Sequence, residues 1–227
     1  MRFLRSAMLA TLLAAVLQTG TAHPLPEPPP CFQVTQPNTD TAATEAQIRA
    51  LRSASFPELA NTDLRVRTFH SDADYFRTRF SLTRFFLPVR MRYFVDVNPN
   101  LFGQQPPTDG VCSVLAHELS HVVALSHGNR IRRLGLVRLV SSRYTAKFER
   151  RTDLEAIHRG YGDGLKDYRS WVYVHIPAKI LVAKHRNYFS PEEISAIQVR
   201  LRAQAEMFSY WSKHVPLNLA EVQAVRP

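Results

Sequence analysis

The chain lacks several things that would have placed it quickly. Beyond its first residues it has no apolar run long enough to cross a bilayer, so the bulk of it is expected to be soluble. It has no internal repeat, which excludes a solenoid or an array. It has 2 cysteines, enough for one bridge at most. Acidic residues are scarce, 19 against 29 Lys and Arg, giving a formal net charge of +10. No motif pairing clustered basic residues with stacking aromatics is visible, so this charge reads as a generally basic surface and not as a nucleic-acid site.

At the start, Arg2 and Arg5 precede the apolar stretch Ala7 to Leu17, and Gly20-Thr-Ala22 follows as a small-residue cleavage site. That three-part layout is expected to be a signal peptide over residues 1–22, with an uncleaved anchor as the alternative. The mature chain would then begin at His23, outside the cytoplasm, either periplasmic or secreted. Two arginines leave with the segment, so the remainder carries a charge of about +8, suited to peripheral contact with an anionic envelope surface. Cys31 and Cys112 would mature where disulfides persist. A bridge between them would tie the N-terminal segment to the helix discussed below; two unrelated free thiols are the alternative.

Residues 23–43 are rich in proline (Pro24, Pro26, Pro28, Pro29, Pro30, Pro37) and read as an extended arm, leaving 44–227 as a single domain. Leu64–Phe69 and Met91–Val97 read as strands. Residues 71–88 carry aromatics without a clean period and read as a loop with part of a strand. Thr108 or Asp109 is placed to cap the following helix. Helices are expected near 46–51, 130–142, 144–159, 165–174 and 178–185, with 161–164 as a turn. A capping box at Ser190-Pro-Glu-Glu193 opens a last helix to about Lys213.

What is present, and informative, is His117-Glu-Leu-Ser-His121 inside the apolar run Val111 to Leu125. On a helix, residues four apart share a face, so His117 and His121 can offer two imidazoles to one metal ion. Glu118, one step round, is placed to touch a water on that ion without holding the ion. Two imidazoles beside a carboxylate is the arrangement by which a zinc peptidase activates water. The bland alternative is a solvated helix with two ordinary histidines, but the apolar flanks call for burial, and buried His and Glu need partners.

A third ligand is required, from among His127, Glu149, Asp153, Glu155 and His158. At 100° per residue, Glu149, Asp153, Ala156 and Gly160 form one stripe, suited to close packing on another helix. Glu155 and His158 point elsewhere. Glu149 is the expected ligand, with Asp153 accepting from the far ring nitrogen of a zinc histidine; pairing of the two acids with Arg150 or Arg143 is the structural alternative. His117, His121 and His127 also have metzincin spacing. However, Ala124 stands where that motif has its glycine, and no methionine turn follows.

His117-Glu-Leu-Ser-His121 followed by Glu149-Arg-Arg-Thr-Asp153 resembles the gluzincin metallopeptidases, and within them soluble relatives of the HtpX and CAAX prenyl protease branch. The resemblance covers about residues 111–160. It implies a zincin-like fold, one Zn2+ on His117, His121 and Glu149, catalysis by Glu118 and support from Asp153. The chain lacks the membrane helices of that branch. The fold expected is α+β: a small, mainly antiparallel sheet on a helical bundle. The function expected is zinc-dependent hydrolysis of a peptide or protein substrate, with Tyr161, Tyr168, Arg169 or His175 as the further oxyanion donor. The rival expectation is a non-catalytic, zinc-stabilised envelope protein that binds a partner or an anionic polymer.

Overall fold

The computed structural model describes residues 24–31, 41–127 and 141–224. The expected signal peptide, the position of His23 and nearly all of the helix expected at 130–142 lie outside them. Residues 24–31 carry no regular secondary structure, and α1 (Ala42–Ser55) begins just ahead of the expected domain start. The elements that follow are β1 (Asp63–Thr68), β2 (Phe76–Phe80), α2 (Leu82–Phe86), β3 (Arg92–Val97), α3 (Thr108–Ser126), α4 (Ser142–Ala156), α5 (Gly162–His175), α6 (Ala178–Asn187), α7 (Pro191–Ala203), α8 (Met207–Lys213) and α9 (Leu219–Gln223). The protein is therefore mixed α and β, mostly helical, with one small sheet. No described helix is long and apolar enough to cross a membrane.

The sheet is not mainly antiparallel. Its order is β1-β3-β2, with β1 parallel to β3 and β2 antiparallel to it. The strand read from Met91–Val97 is thus central, and β2, hidden in the aromatic-rich stretch, is an edge. Alternation sends Phe76, Thr78 and Phe80 toward α3 and leaves Arg77 and Arg79 on the other face. On that outer face arginines gather round two aspartates. Asp96, 2% exposed, takes Arg67 at 2.8 Å and Arg77 at 3.0 Å. Asp63 takes Arg92 at 2.8 Å and Arg84, from α2, at 3.1 Å.

α3 is apolar nearly all round, and it is buried accordingly, packed between the sheet and α4 and α5. Its N-cap is Pro107, with no side-chain cap from Thr108 or Asp109; Asp109 sits in the first turn, where its charge suits the helix dipole. One core cluster joins the sheet, α1, α3 and α5, and a second joins α4, α7 and α8. α4 lies between them. Leu154 and Ile157 face the second cluster, while Ala156 and Tyr161 face the first.

The turn expected at 161–164 is instead a π-helical turn, Ile157–Tyr161, running into α5. Gly160 there has φ 95°, a left-handed backbone that glycine adopts without strain. A Cβ at Gly160 would overlap the Pro26 carbonyl oxygen, so the N-terminal arm lies directly on this junction. Leu25 packs on the second core, and Cys31 is joined to Cys112 of α3 by a disulfide with Cα atoms 6.0 Å apart. At Gly164, a Cβ would overlap the Asp109 carbonyl and Ser113 Oγ, which fixes how closely α5 approaches α3. The Ser190 capping box forms as read, with both hydrogen bonds present. The helix it opens ends at Ala203, and α8 is a separate piece.

Candidate metal centre

α3 and α4 bring His117, His121 and Glu149 together, with one ligand atom from each within 4.8 Å of the others. These three could hold a metal ion. Glu149 Oε2 is 3.3 Å from His117 Nε2 and 3.1 Å from His121 Nε2. Donors at about 2.0–2.1 Å from a tetrahedral ion stand about 3.3 Å apart, which both of these spacings match. Both imidazoles turn the same nitrogen inward, and each has a partner behind it. His117 Nδ1 is 2.7 Å from Asp153 Oδ1, although its N–H points off the line to that oxygen. His121 Nδ1 is 3.2 Å from Thr152 Oγ1. The Thr152 hydroxyl gives its proton to the Phe148 carbonyl at 2.9 Å, so toward His121 it accepts, which favours the tautomer with Nε2 free.

Burial and neighbouring charge pull the ionisable groups of this cluster in opposite directions. Burial lowers the pKa of His117, but Asp153 and Glu149 beside it more than reverse this and hold it at about 9. Burial raises Glu149, and the two imidazoles overcome that and keep its carboxyl well below the usual range. Asp153 is fully buried; Arg169, His117 and the Phe189 N–H hold it ionised. Its Oδ1 accepts from Arg169 at 2.8 Å and its Oδ2 from the Phe189 N–H at 3.1 Å. Asp153 therefore joins α4, α5 and the link between α6 and α7 behind the two histidines. Arg150, offered as a structural partner for these acids, pairs with Glu193 instead, at 2.9 Å.

Glu118 is buried at the foot of β2. Thr78 Oγ1 lies 2.7 Å from Glu118 Oε2 and 3.0 Å from the Glu118 carbonyl. One hydroxyl thus fixes the carboxylate and ties the edge strand to α3. A cavity of about 380 Å³ opens here, with Glu118, His121 and Glu149 on its floor, β2 along one side, and Leu125, Phe148 and Tyr188 among its walls.

The remaining sequence candidates lie apart. His127 caps the end of α3, is exposed, and makes its contact with the Val123 carbonyl at 2.9 Å. Glu155 pairs with Arg159, and His158 stacks on Phe208. Tyr161 is bonded to Ser55 at 2.7 Å, and His175 is exposed and stacked on Trp171. Tyr168 and Arg169 line a small recess beside His117 and Glu118. Sequence reasoning missed Thr78, Thr152 and Tyr188. Thr152 could have been found, since it is one residue from Asp153; Tyr188 carries no pattern at all. Burial and the nearby Glu149 push the Tyr188 hydroxyl well above its usual pKa, so it stays a neutral donor. No protein-family model, no curated protein and no solved structure matches the chain.

Proposed function

We propose that the protein is a zinc-dependent peptide hydrolase with Glu118 as its general base. His117, His121 and Glu149 would hold the ion. When bound, it supplies Lewis acidity, acidifying a water and polarising the substrate carbonyl. Asp153 and Thr152 hold the two imidazoles in the ligating orientation. The Glu118 carboxylate, aimed by Thr78, accepts the proton of the attacking water at Oε1 or Oε2 and returns it to the leaving amine. The edge of β2, which pairs with no further strand among the described residues, lies alongside the cavity and can take an extended peptide by main-chain hydrogen bonds. Tyr188, a neutral hydroxyl in the cavity wall, is the donor we assign to the developing oxyanion, in place of the four candidates named from sequence.

The observation that carries this reading is Glu118. A purely structural metal site has no use for a buried carboxylate beside its ligands, facing an open cavity and hydrogen-bonded by an edge strand. Glu118→Gln is expected to retain metal and fold, while hydrolysis of an unfolded-protein or peptide-library substrate falls by about 10²-fold or more. Undiminished cleavage by Glu118→Gln would reject the mechanism. Metal-loaded wild type without chelator-sensitive cleavage would favour a binding protein instead.

A further inference from the structure

The segment joining β2 to β3 exposes apolar side chains to an unusual degree. Leu82 is 63% exposed and Phe86 75%, and Leu87 and Val89 follow at 47% and 43%. Isolated exposed leucines are ordinary, but four large apolar residues within eight positions form a patch. Their surroundings are basic. Arg84 lies within the segment and Arg90 ends it, and Arg84 reaches Asp63 on the outer face of the sheet. The apolar segment and the arginine face are therefore one continuous surface. On that face Arg65 is 64% exposed and Arg79 54%, and Arg79 is 4.0 Å from its nearest carboxylate. Six arginines (65, 67, 77, 79, 84 and 92) share Asp63 and Asp96, so the face keeps an excess positive charge.

We infer that this surface docks the protein on an anionic lipid bilayer, with Leu82 and Phe86 entering the acyl boundary and the arginines on the headgroups. An anionic polymer would use the arginines but leaves the exposed Phe86 and Leu82 without a role. A neutral protein partner would cover the apolar side chains but leave the charge unmatched. A bilayer with acidic headgroups satisfies both at once. Leu82 and Arg79 also line the cavity over Glu118, so docking brings the mouth of the cleft to the membrane surface. The docking does not depend on the hydrolase reading.

The test is co-sedimentation of the full chain with vesicles of phosphatidylglycerol in phosphatidylcholine, and of phosphatidylcholine alone, with and without chelator. Wild type is expected to sediment with the acidic vesicles only, equally in both conditions, and to be released by high salt. Leu82→Ser/Phe86→Ser is expected to weaken binding tenfold or more, and Arg79→Glu/Arg90→Glu likewise. All four sites are solvent-facing, so circular dichroism should report an intact fold. Phe86→Trp is expected to gain emission quenched by brominated acyl chains, over the background of Trp171 and Trp211. Three results would overturn the inference: no binding of wild type to acidic vesicles; binding that survives the double serine change, marking a polyanion site; and self-association of wild type without vesicles that Phe86→Ser abolishes, assigning the patch to a second copy.

Discussion

Loading a divalent ion onto His117, His121 and Glu149 must expel the proton that His117 holds between Asp153 and Glu149. Because that imidazole titrates at about 9, it is almost fully protonated at pH 7. Two pH units of competition correspond to roughly 100-fold in apparent affinity. The sign is fixed by the ligand form: only neutral imidazole binds, so affinity rises with pH until about 9 and then levels. An imidazole of ordinary pKa, near 6.5, would level just above that value and gain less than about 1.5-fold beyond pH 7. Here a gain of about 25-fold is expected between pH 7 and 8.5. Titration of the metal-free protein with Co2+ by calorimetry, in two buffers of different ionisation enthalpy, measures both quantities. About one proton from His117 should be released per ion at pH 7, against about a quarter for an ordinary imidazole. An affinity that is flat above pH 7, with proton release near that lower figure, would refute the argument that the carboxylates hold a proton in the place of the ion.

His117→Ala, His121→Ala and Glu149→Ala should each lose most bound metal by elemental analysis, and Glu155→Ala, whose carboxylate is committed to Arg159, should keep it. Gly160→Ala places a side chain at positive φ against the Pro26 carbonyl; a loss of about 2 kcal/mol or more is expected, read as a lower urea midpoint. Cys31→Ala opens a loop of 81 residues, and on loop entropy alone the denaturation free energy should fall by about 4 kcal/mol. An unchanged midpoint would show that the arm is not held by its sulfur.

The helix of His117 and His121 and the stripe of Glu149 and Asp153 were legible because burial and helical period act on neighbours in sequence. His117, His121, Glu149 and Asp153 meet where the stripe of Glu149, Asp153 and Ala156 faces α3. β2 was legible only as part of a strand somewhere within residues 71–88, and the reason is Thr78. In Phe76-Arg-Thr-Arg-Phe80 the inward position that should be apolar carries a hydroxyl, since it faces the Glu118 carboxylate and not the core. The residue that breaks the pattern is the one that serves the site. The parallel pairing of β1 with β3 was equally hidden, because strand order depends on contacts far apart in the chain. Tyr188 belongs to the cavity only through the packing of α6 and α7 around α4.

The arm and its disulfide bear on the order in which such a chain becomes competent. The arm rests on Gly160, at the joint between the helix that carries Glu149 and α5, and is stitched five residues ahead of His117. It thus works as a latch across the two helices that carry all three residues, closed by sulfur. Reduction of the bridge would release the arm from α3 and leave His117, His121 and Glu149 all in the chain, so it is the hold on the two helices, and not the supply of donors, that the sulfur governs.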